Sequence, residues 1–390
     1  MKRNLVILSI ILSVAVVMVL IAFYVPNSLP VHSDFSAIYN TDLALVHRVP
    51  IYELEKVEAL ALQYAGIPED KFFLARFPYP PWYALSTFYL GRMPGRAAAT
   101  LWFELNLVML FLSVWLLTDG WPGRMRLIAF PLGLFFLPVL GALSVGQYDF
   151  PVLLGASLLV YSIRRENVTL TVLGLVLLTF KPHIGALVLL SMLGWLIYKR
   201  GELGRRVMRP LVITGIFLFA AGFLADPAWV VSYPRMLLNY QDEGNVSACS
   251  ECASLPVWLS RWLLDGSLTN AVWIAVILLV SLVVSLYFGR SLLKSHGMLM
   301  NASVLVTLLV SPYLYNYDYL LLLVPFSLFI RDGSLFQKTV VVLCYLVPTI
   351  VILVYGRDGN ISLMVSSLIM LLLLFASVKN SVIDFTAHAA

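Results

Sequence analysis

The sequence predicts an all-α, polytopic membrane bundle of about twelve spans, and three observations predict it. Of 390 residues, 61% are hydrophobic and only 12% charged, far from the roughly 25% charged residues of soluble domains, and the mean hydropathy is +0.90. About a dozen apolar segments follow one another, most near the length of about 20 residues that carries a helix across a bilayer. The basic residues gather in every second connection, the arrangement that keeps Lys and Arg on the cytoplasmic side. No soluble catalytic domain fits beside so many spans, so residues 1–390 read as one membrane-embedded domain. The net charge of +5 comes from the cytoplasmic loops and needs no nucleic acid to explain it.

Taken in order, Lys2 and Arg3 precede an apolar stretch at 5–25. It exceeds the about 7 to 15 residues of a signal-peptide core and lacks a small-residue cleavage site. It is expected to remain as a first span that starts in the cytoplasm, which makes residues 26–96 the first extracytoplasmic loop. Within that loop Val57, Leu60, Ala61 and Tyr64 recur at helical spacing, with Glu55, Glu58 and Gln63 elsewhere on the wheel. The pattern is that of an amphipathic interfacial helix or of a plain surface connection.

The second span, 97–117, leads in to Arg124 and Arg126, and the third, 127–143, returns to Gly146-Gln147-Tyr148-Asp149. Span 150–163 ends at Arg164 and Arg165, 169–180 emerges at Lys181-Pro182-His183, and 184–198 enters the densest basic loop, from Lys199 to Arg209. Span 211–231 exits to a second large outer loop, 232–267, and 271–288 re-enters at Arg290 and Lys294. Span 298–310 emerges at the Ser311 to Asp318 run, 319–330 goes in to Arg331 and Lys338, and the spans at 339–355 and 361–378 leave both termini cytoplasmic. The segments at 169–180 and 298–310 are too short to cross a core of about 30 Å, so they are expected among other helices or broken beside a water-filled cavity. Pro131, Pro138, Pro151, Pro182, Pro312, Pro325 and Pro348 are consistent with such breaks.

Every motif rich in polar and aromatic side chains falls on the outer side, which argues for a site there. Asp34 fits a helix N-cap or a general base, because burial raises a carboxyl pKa toward working pH. Lys181, at the outer end of a short apolar helix, reads as a phosphate ligand or a snorkelling lysine. His183 reads as a second phosphate ligand or a structural hydrogen bond. Arg76, Arg235 and Arg261 are further phosphate candidates or headgroup residues. Gln147 and Asp149 offer groups for sugar hydroxyls, or form a turn with Asp149 as cap. Tyr315, Asn316 and Asp318 do the same, although tyrosines are expected at the interface anyway. Glu104 is an intramembrane acid, a site candidate unless it snorkels outward. Cys249 and Cys252 share a loop where an oxidising compartment permits a disulfide, and no four-ligand zinc set is present. No cofactor or metal site is expected, with a divalent metal left open.

The order Ser33-Asp34-Phe35 with Tyr39, Pro50-Ile51-Tyr52, Phe77-Pro78-Tyr79-Pro80-Pro81, Gly146-Gln147, Phe180-Lys181-Pro182 and Ser311-Pro312 resembles the glycosyltransferase 87 family, membrane enzymes of GT-C architecture. The resemblance implies a polyprenyl-phosphate-linked sugar as donor, a lipid or glycan acceptor, inversion at the anomeric carbon, and an extracytoplasmic active site whose base is an Asp of the first outer loop, here Asp34. It implies an integral protein of the bacterial inner membrane, bathed in membrane lipids, and puts Tyr39 and Tyr79 among the sugar or acceptor ligands. Where relatives carry a His pair after Ser-Pro, this chain has Tyr315-Asn316-Tyr317-Asp318-Tyr319, so no catalytic His is assigned there.

The chemistry points the same way. A sugar on a lipid phosphate already carries a good leaving group, so one base suffices where glycoside hydrolysis needs two carboxyl groups. Positive charge is needed where the phosphate departs, and Lys181 is expected to supply it. The rival expectation, a transporter or flippase of lipid-linked sugars, calls for polar groups near the midplane and usually internal repeats, which are scarce here.

Overall fold

The computed structural model describes residues 34–65, 76–199, 201–238, 252–264, 268–288 and 295–387, all of whose regular elements are helical. The first apolar stretch, Cys249 and parts of both loops expected on the outer side, 26–96 and 232–267, lie outside those residues. The segment before the first long apolar helix of the described residues contributes α1 (Asp34–Val46), α2 (Leu54–Ala65) and α3 (Pro81–Thr87), which tightens into a 3-10 turn at Phe88–Arg92. α3 starts on Pro81, where a missing N–H costs nothing because no helical partner exists for it. α2 is the amphipathic segment of the sequence. α1 is instead buried from Phe35 to Ala44 except for Tyr39, so it is an inserted element and not a surface one.

α4 (Gly95–Leu117) is, among the described residues, the first helix long enough to span a membrane. α5 (Gly123–Leu134) and α6 (Leu137–Val145) make one expected span bent by 54°. The bend falls just before Pro138, in the first turn of α6, which lacks the N–H needed to continue the ladder. α7 (Asp149–Arg164) and α8 (Val168–Leu178) pair closely because two glycines meet. A Cβ on Gly155 would fall 2.8 Å from the Gly174 carbonyl oxygen, and one on Gly174 would fall 2.9 Å from that of Gly155, the small-residue contact that lets membrane helices approach. Ser162 and Thr171 share a hydrogen bond of 2.9 Å across the same pair.

The chain continues through α9 (Pro182–Lys199), α10 (Glu202–Ala225), α11 (Trp229–Leu238), α12 (Leu255–Leu263), α13 (Leu268–Phe288) and α14 (His296–Val310). A 3-10 turn at Asn316–Leu322 then leads into α15 (Leu323–Asp332), α16 (Leu335–Tyr355) and, past a second turn at Gly356–Asn360, α17 (Ile361–Ala387). α14 is buried from Leu299 to Val310, which explains how so short an apolar helix is accommodated: other helices surround it. α16 and α17 form an antiparallel hairpin, since Gln337 donates to Ser377 at 2.5 Å and the Cys344 thiol approaches the Ser366 carbonyl at 3.9 Å. Pro348 does not break α16, which runs through it.

Among the described residues, Gly95–Leu117, Glu202–Ala225 and the Leu335–Ser377 stretch that holds the α16–α17 hairpin are long and apolar enough to cross a membrane, and the bent pair α5–α6 is a further candidate. Their outward faces agree. α10 exposes Ile213, Ile216, Phe217 and Leu224, and α16 exposes Ile350, Leu353 and Val354, a surface that water does not tolerate over such an area but hydrocarbon does.

Candidate active site

At one end of the bundle the starts of α1 and α7, the α8–α9 junction and the 3-10 turn after α14 converge. Their meeting is prepared by Gly146, which closes α6 at φ 67°, a left-handed conformation that favours glycine. A Cβ there would lie 2.7 Å from the Cβ of Phe35, so α1 packs directly on this turn. α4 holds the turn from the other side: Trp102 Nε1 donates to the Gly146 carbonyl at 2.8 Å and Asn106 Nδ2 to that of Gln147 at 3.4 Å.

With its backbone fixed, Gln147 faces Asp34. Its Nε2 donates to Asp34 Oδ2 at 2.8 Å, and its Oε1 accepts the Tyr148 backbone N–H at 2.9 Å. The Tyr148 hydroxyl donates to the Asp34 backbone carbonyl, and the Tyr317 phenol lies close enough to the Asp34 carboxylate to favour its charged form. Burial pushes the Asp34 carboxyl above its ordinary range, Lys181 pulls it back, Asp318 pushes it further up, and the Tyr317 hydrogen bond lowers it again. An aromatic shell of Phe77, Tyr79, Tyr83, Tyr148 and Phe180 encloses this region, with Tyr79 and Tyr148 centroids 4.5 Å apart and Tyr83 stacked on Phe180 at 4.6 Å.

Behind Asp34 lies a buried ionic cluster. Lys181 Nζ sits 2.5 Å from Asp149 Oδ1 and 2.6 Å from Asp318 Oδ1, with side-chain exposures of 2%, 0% and 0%. It also stands 5.1 Å from the centre of the Tyr317 ring. Asp318 Oδ2 accepts the Tyr315 backbone N–H at 2.6 Å, in a capping box that starts the 3-10 turn. Asp149 Oδ2 is buried without a protein partner. One ammonium cannot neutralise two carboxylates, so the cluster carries either a surplus negative charge or a shared proton.

This geometry sorts the residues expected from sequence. Asp34, Gln147, Asp149, Lys181 and Asp318 come together, with His183 Nε2 at 4.0 Å from Asp318 and its ring edge-on to Tyr313 at 5.9 Å. Lys181 is enclosed and doubly paired, and so does not stand open to a phosphate. Gln147, Asp149, Asp318 and Tyr79 are buried, each already engaged by protein atoms or, for Tyr79, packed in the aromatic shell. Tyr315, Asn316 and His183 keep partly exposed side chains, as do Arg76 and Tyr39, whose hydroxyl bonds the Met93 carbonyl at 2.9 Å. Arg261 is exposed on α12, and Glu104 is exposed on the outer face of α4 with Val108, Phe111 and Trp115, away from the face that carries Trp102 and Asn106. Cys252 is disulfide-bonded. No cluster of three or more His, Cys, Asp or Glu suited to a metal occurs among the described residues.

Sequence reasoning passed over Tyr317, whose place among alternating tyrosines reads as an interfacial belt, and Asp42. The latter is wholly buried on α1, 3.1 Å from Thr87 Oγ1, with its other oxygen unpartnered. No pattern in the sequence marks it.

The fold and the site together define a polytopic helical membrane protein with a carboxylate-rich cluster where its helix ends meet. The chain belongs to glycosyltransferase family 87, whose family model matches residues 77–312, more than half of the chain. It is therefore a glycosyltransferase. The match takes in Gln147, Asp149, Lys181 and His183, and it lies between Asp34 on one side and the Tyr315 to Asp318 run on the other. No curated protein and no solved structure matches the chain.

Proposed function

We propose that this glycosyltransferase moves a hexose or pentose, mannose-like in the simplest case, from a polyprenyl-phosphate donor to a lipid or glycan acceptor with inversion. The reaction takes place at the extracytoplasmic face of the bacterial inner membrane, in a GT-C-type bundle of about twelve spans with both termini cytoplasmic. The acceptor oxygen attacks the anomeric carbon, the bond from that carbon to the phosphate oxygen breaks, and polyprenyl phosphate leaves with the electron pair. The acceptor proton passes to Asp34.

The observation that supports this reading is the setting of the Asp34 carboxylate, at the converging helix ends and held by Gln147 and Tyr317. Its raised pKa suits a base that must take a proton as the sugar transfers. The partly exposed His183 and Arg76 meet the departing phosphate, since the charge of Lys181 is already taken up by Asp149 and Asp318. Tyr39, Tyr315 and Asn316 meet sugar or acceptor hydroxyls.

Purified full-length protein in liposomes, given a panel of radiolabelled polyprenyl-phosphate sugars, is expected to consume one of them. Asp34→Asn is expected to reduce transfer by a factor of about 100 to 10,000, and full transfer by that variant would remove the assigned base. Movement of the labelled lipid across the bilayer without consumption would favour a flippase instead.

A further inference from the structure

We infer that Gln147 and Tyr317 are positioning residues for Asp34, holding one side of its carboxylate so that the remaining oxygen lone pairs face the acceptor hydroxyl. The inference rests on the reading of Asp34 as the base. It assigns Gln147 a role other than sugar binding and gives a role to Tyr317, which no motif marks.

Three features carry it. First, the Gln147 amide has no freedom left. Its side chain is 2% exposed, and a backbone N–H, that of Tyr148, can be met only by the amide oxygen. The NH2 group must therefore point at Asp34 Oδ2, 2.8 Å away. Second, the Tyr317 ring is fixed on two sides. It stacks on Tyr315 at 5.1 Å, and the Lys181 ammonium lies 5.1 Å from its centre. Lys181 in turn binds Asp318, one residue along the same 3-10 turn, so the buried cluster sets where the phenol reaches Asp34. Third, the Asp34 main chain is tied by the Tyr148 hydroxyl. A donor from the α6–α7 turn and the ring carried by the 3-10 turn after α14 thus converge on one carboxylate.

Donors to the ionised carboxylate favour it over the acid, and they compete with the burial that disfavours it. The charged groups that face Asp34 are Lys181, from the α8–α9 junction, and Asp318, from the 3-10 turn; the phenols of Tyr148 and Tyr317 complete the titratable set. Loss of either donor leaves burial less opposed, so the Asp34 midpoint rises and the acid limb of activity moves to higher pH.

The test uses full-length protein in liposomes and two readouts. The protonated-carboxyl infrared band, assigned to Asp34 by its loss in Asp34→Asn, is titrated without substrate. The midpoint is expected to rise by about one pH unit in both Tyr317→Phe and Gln147→Leu. Sugar transfer from the radiolabelled panel is expected to fall about 10- to 100-fold in kcat, with KM unchanged and the acid limb shifted alongside the midpoint. Tyr317→Phe keeps the ring and its stacking, so it guards against a general loss of fold. An unmoved midpoint in both variants overturns the inference even if Asp34→Asn is inactive. A moved midpoint together with full transfer by Asp34→Asn overturns the reading of Asp34 as base, and the catalytic part of the inference with it.

Discussion

The two ends of α7 carry ion pairs of opposite character. At its start, Asp149 meets Lys181 with exposures of 0% and 2%. At its other end, about 22 Å away at 1.5 Å per residue, Arg164 and Arg165 face Asp119 at 3.6 and 3.1 Å, with side chains 27%, 59% and 20% exposed. Water and mobile ions reach the second group and weaken it. Nothing reaches the first, so each member there must be answered by a named protein atom. The same charge types stand in reach of water at one end and are sealed beside the Asp34 carboxylate at the other.

The sharpest break of that contrast is Lys181→Met. It strands two carboxylates in an apolar interior and is expected to cost about 3–5 kcal/mol, read as a fall in thermal stability of the detergent-solubilised protein. Asp149→Asn is expected to cost much less, about 1 kcal/mol, since Lys181 keeps Asp318 and the unpartnered oxygen of Asp149 loses its charge. Equal losses in the two variants would mean that the cluster is not a dry one.

That asymmetry marks the boundary of what was legible from the residues. Hydropathy and loop charge bring Gln147, Lys181 and Asp318 to helix ends on one side, because spans of known length must start and stop somewhere. Whether Lys181 greets a ligand or a neighbouring aspartate depends on how deeply the α8–α9 junction sinks, and burial depth leaves no periodic trace. The two atoms of the Gln147 amide are likewise indistinguishable in a sequence, and only the Tyr148 N–H decides which one faces Asp34. The bent span shows the converse. Pro138 announced an interruption that occurs at that position, whereas Pro348 announced one that α16 absorbs.

Asp42 sharpens the comparison at smaller magnitude, because it is a buried acid with no cation. Burial pushes its carboxyl well above the ordinary range, opposed by the Thr87 hydroxyl. A raised folded-state pKa stabilises the protein fully below the unfolded value of about 4, and that contribution is lost as pH rises through the folded value. Asp42→Asn stays neutral throughout. Its melting temperature relative to the parent is therefore expected to rise between pH 5 and pH 9, and parallel curves for the two proteins would show that Asp42 does not titrate on unfolding.

The smallest effect belongs to the open end of α7. Arg165 donates to Asp119 at 3.1 Å from a mostly exposed side chain, and Arg164 remains as a second partner for the same carboxylate. Arg165→Gln is expected to leave both melting temperature and transfer rate within error, at low salt as well as at high. Lys181→Met, by contrast, should be equally damaging at any ionic strength, because screening requires ions that cannot enter. A marked loss in Arg165→Gln that salt reproduces in the parent would place the working charges at the wrong end of α7.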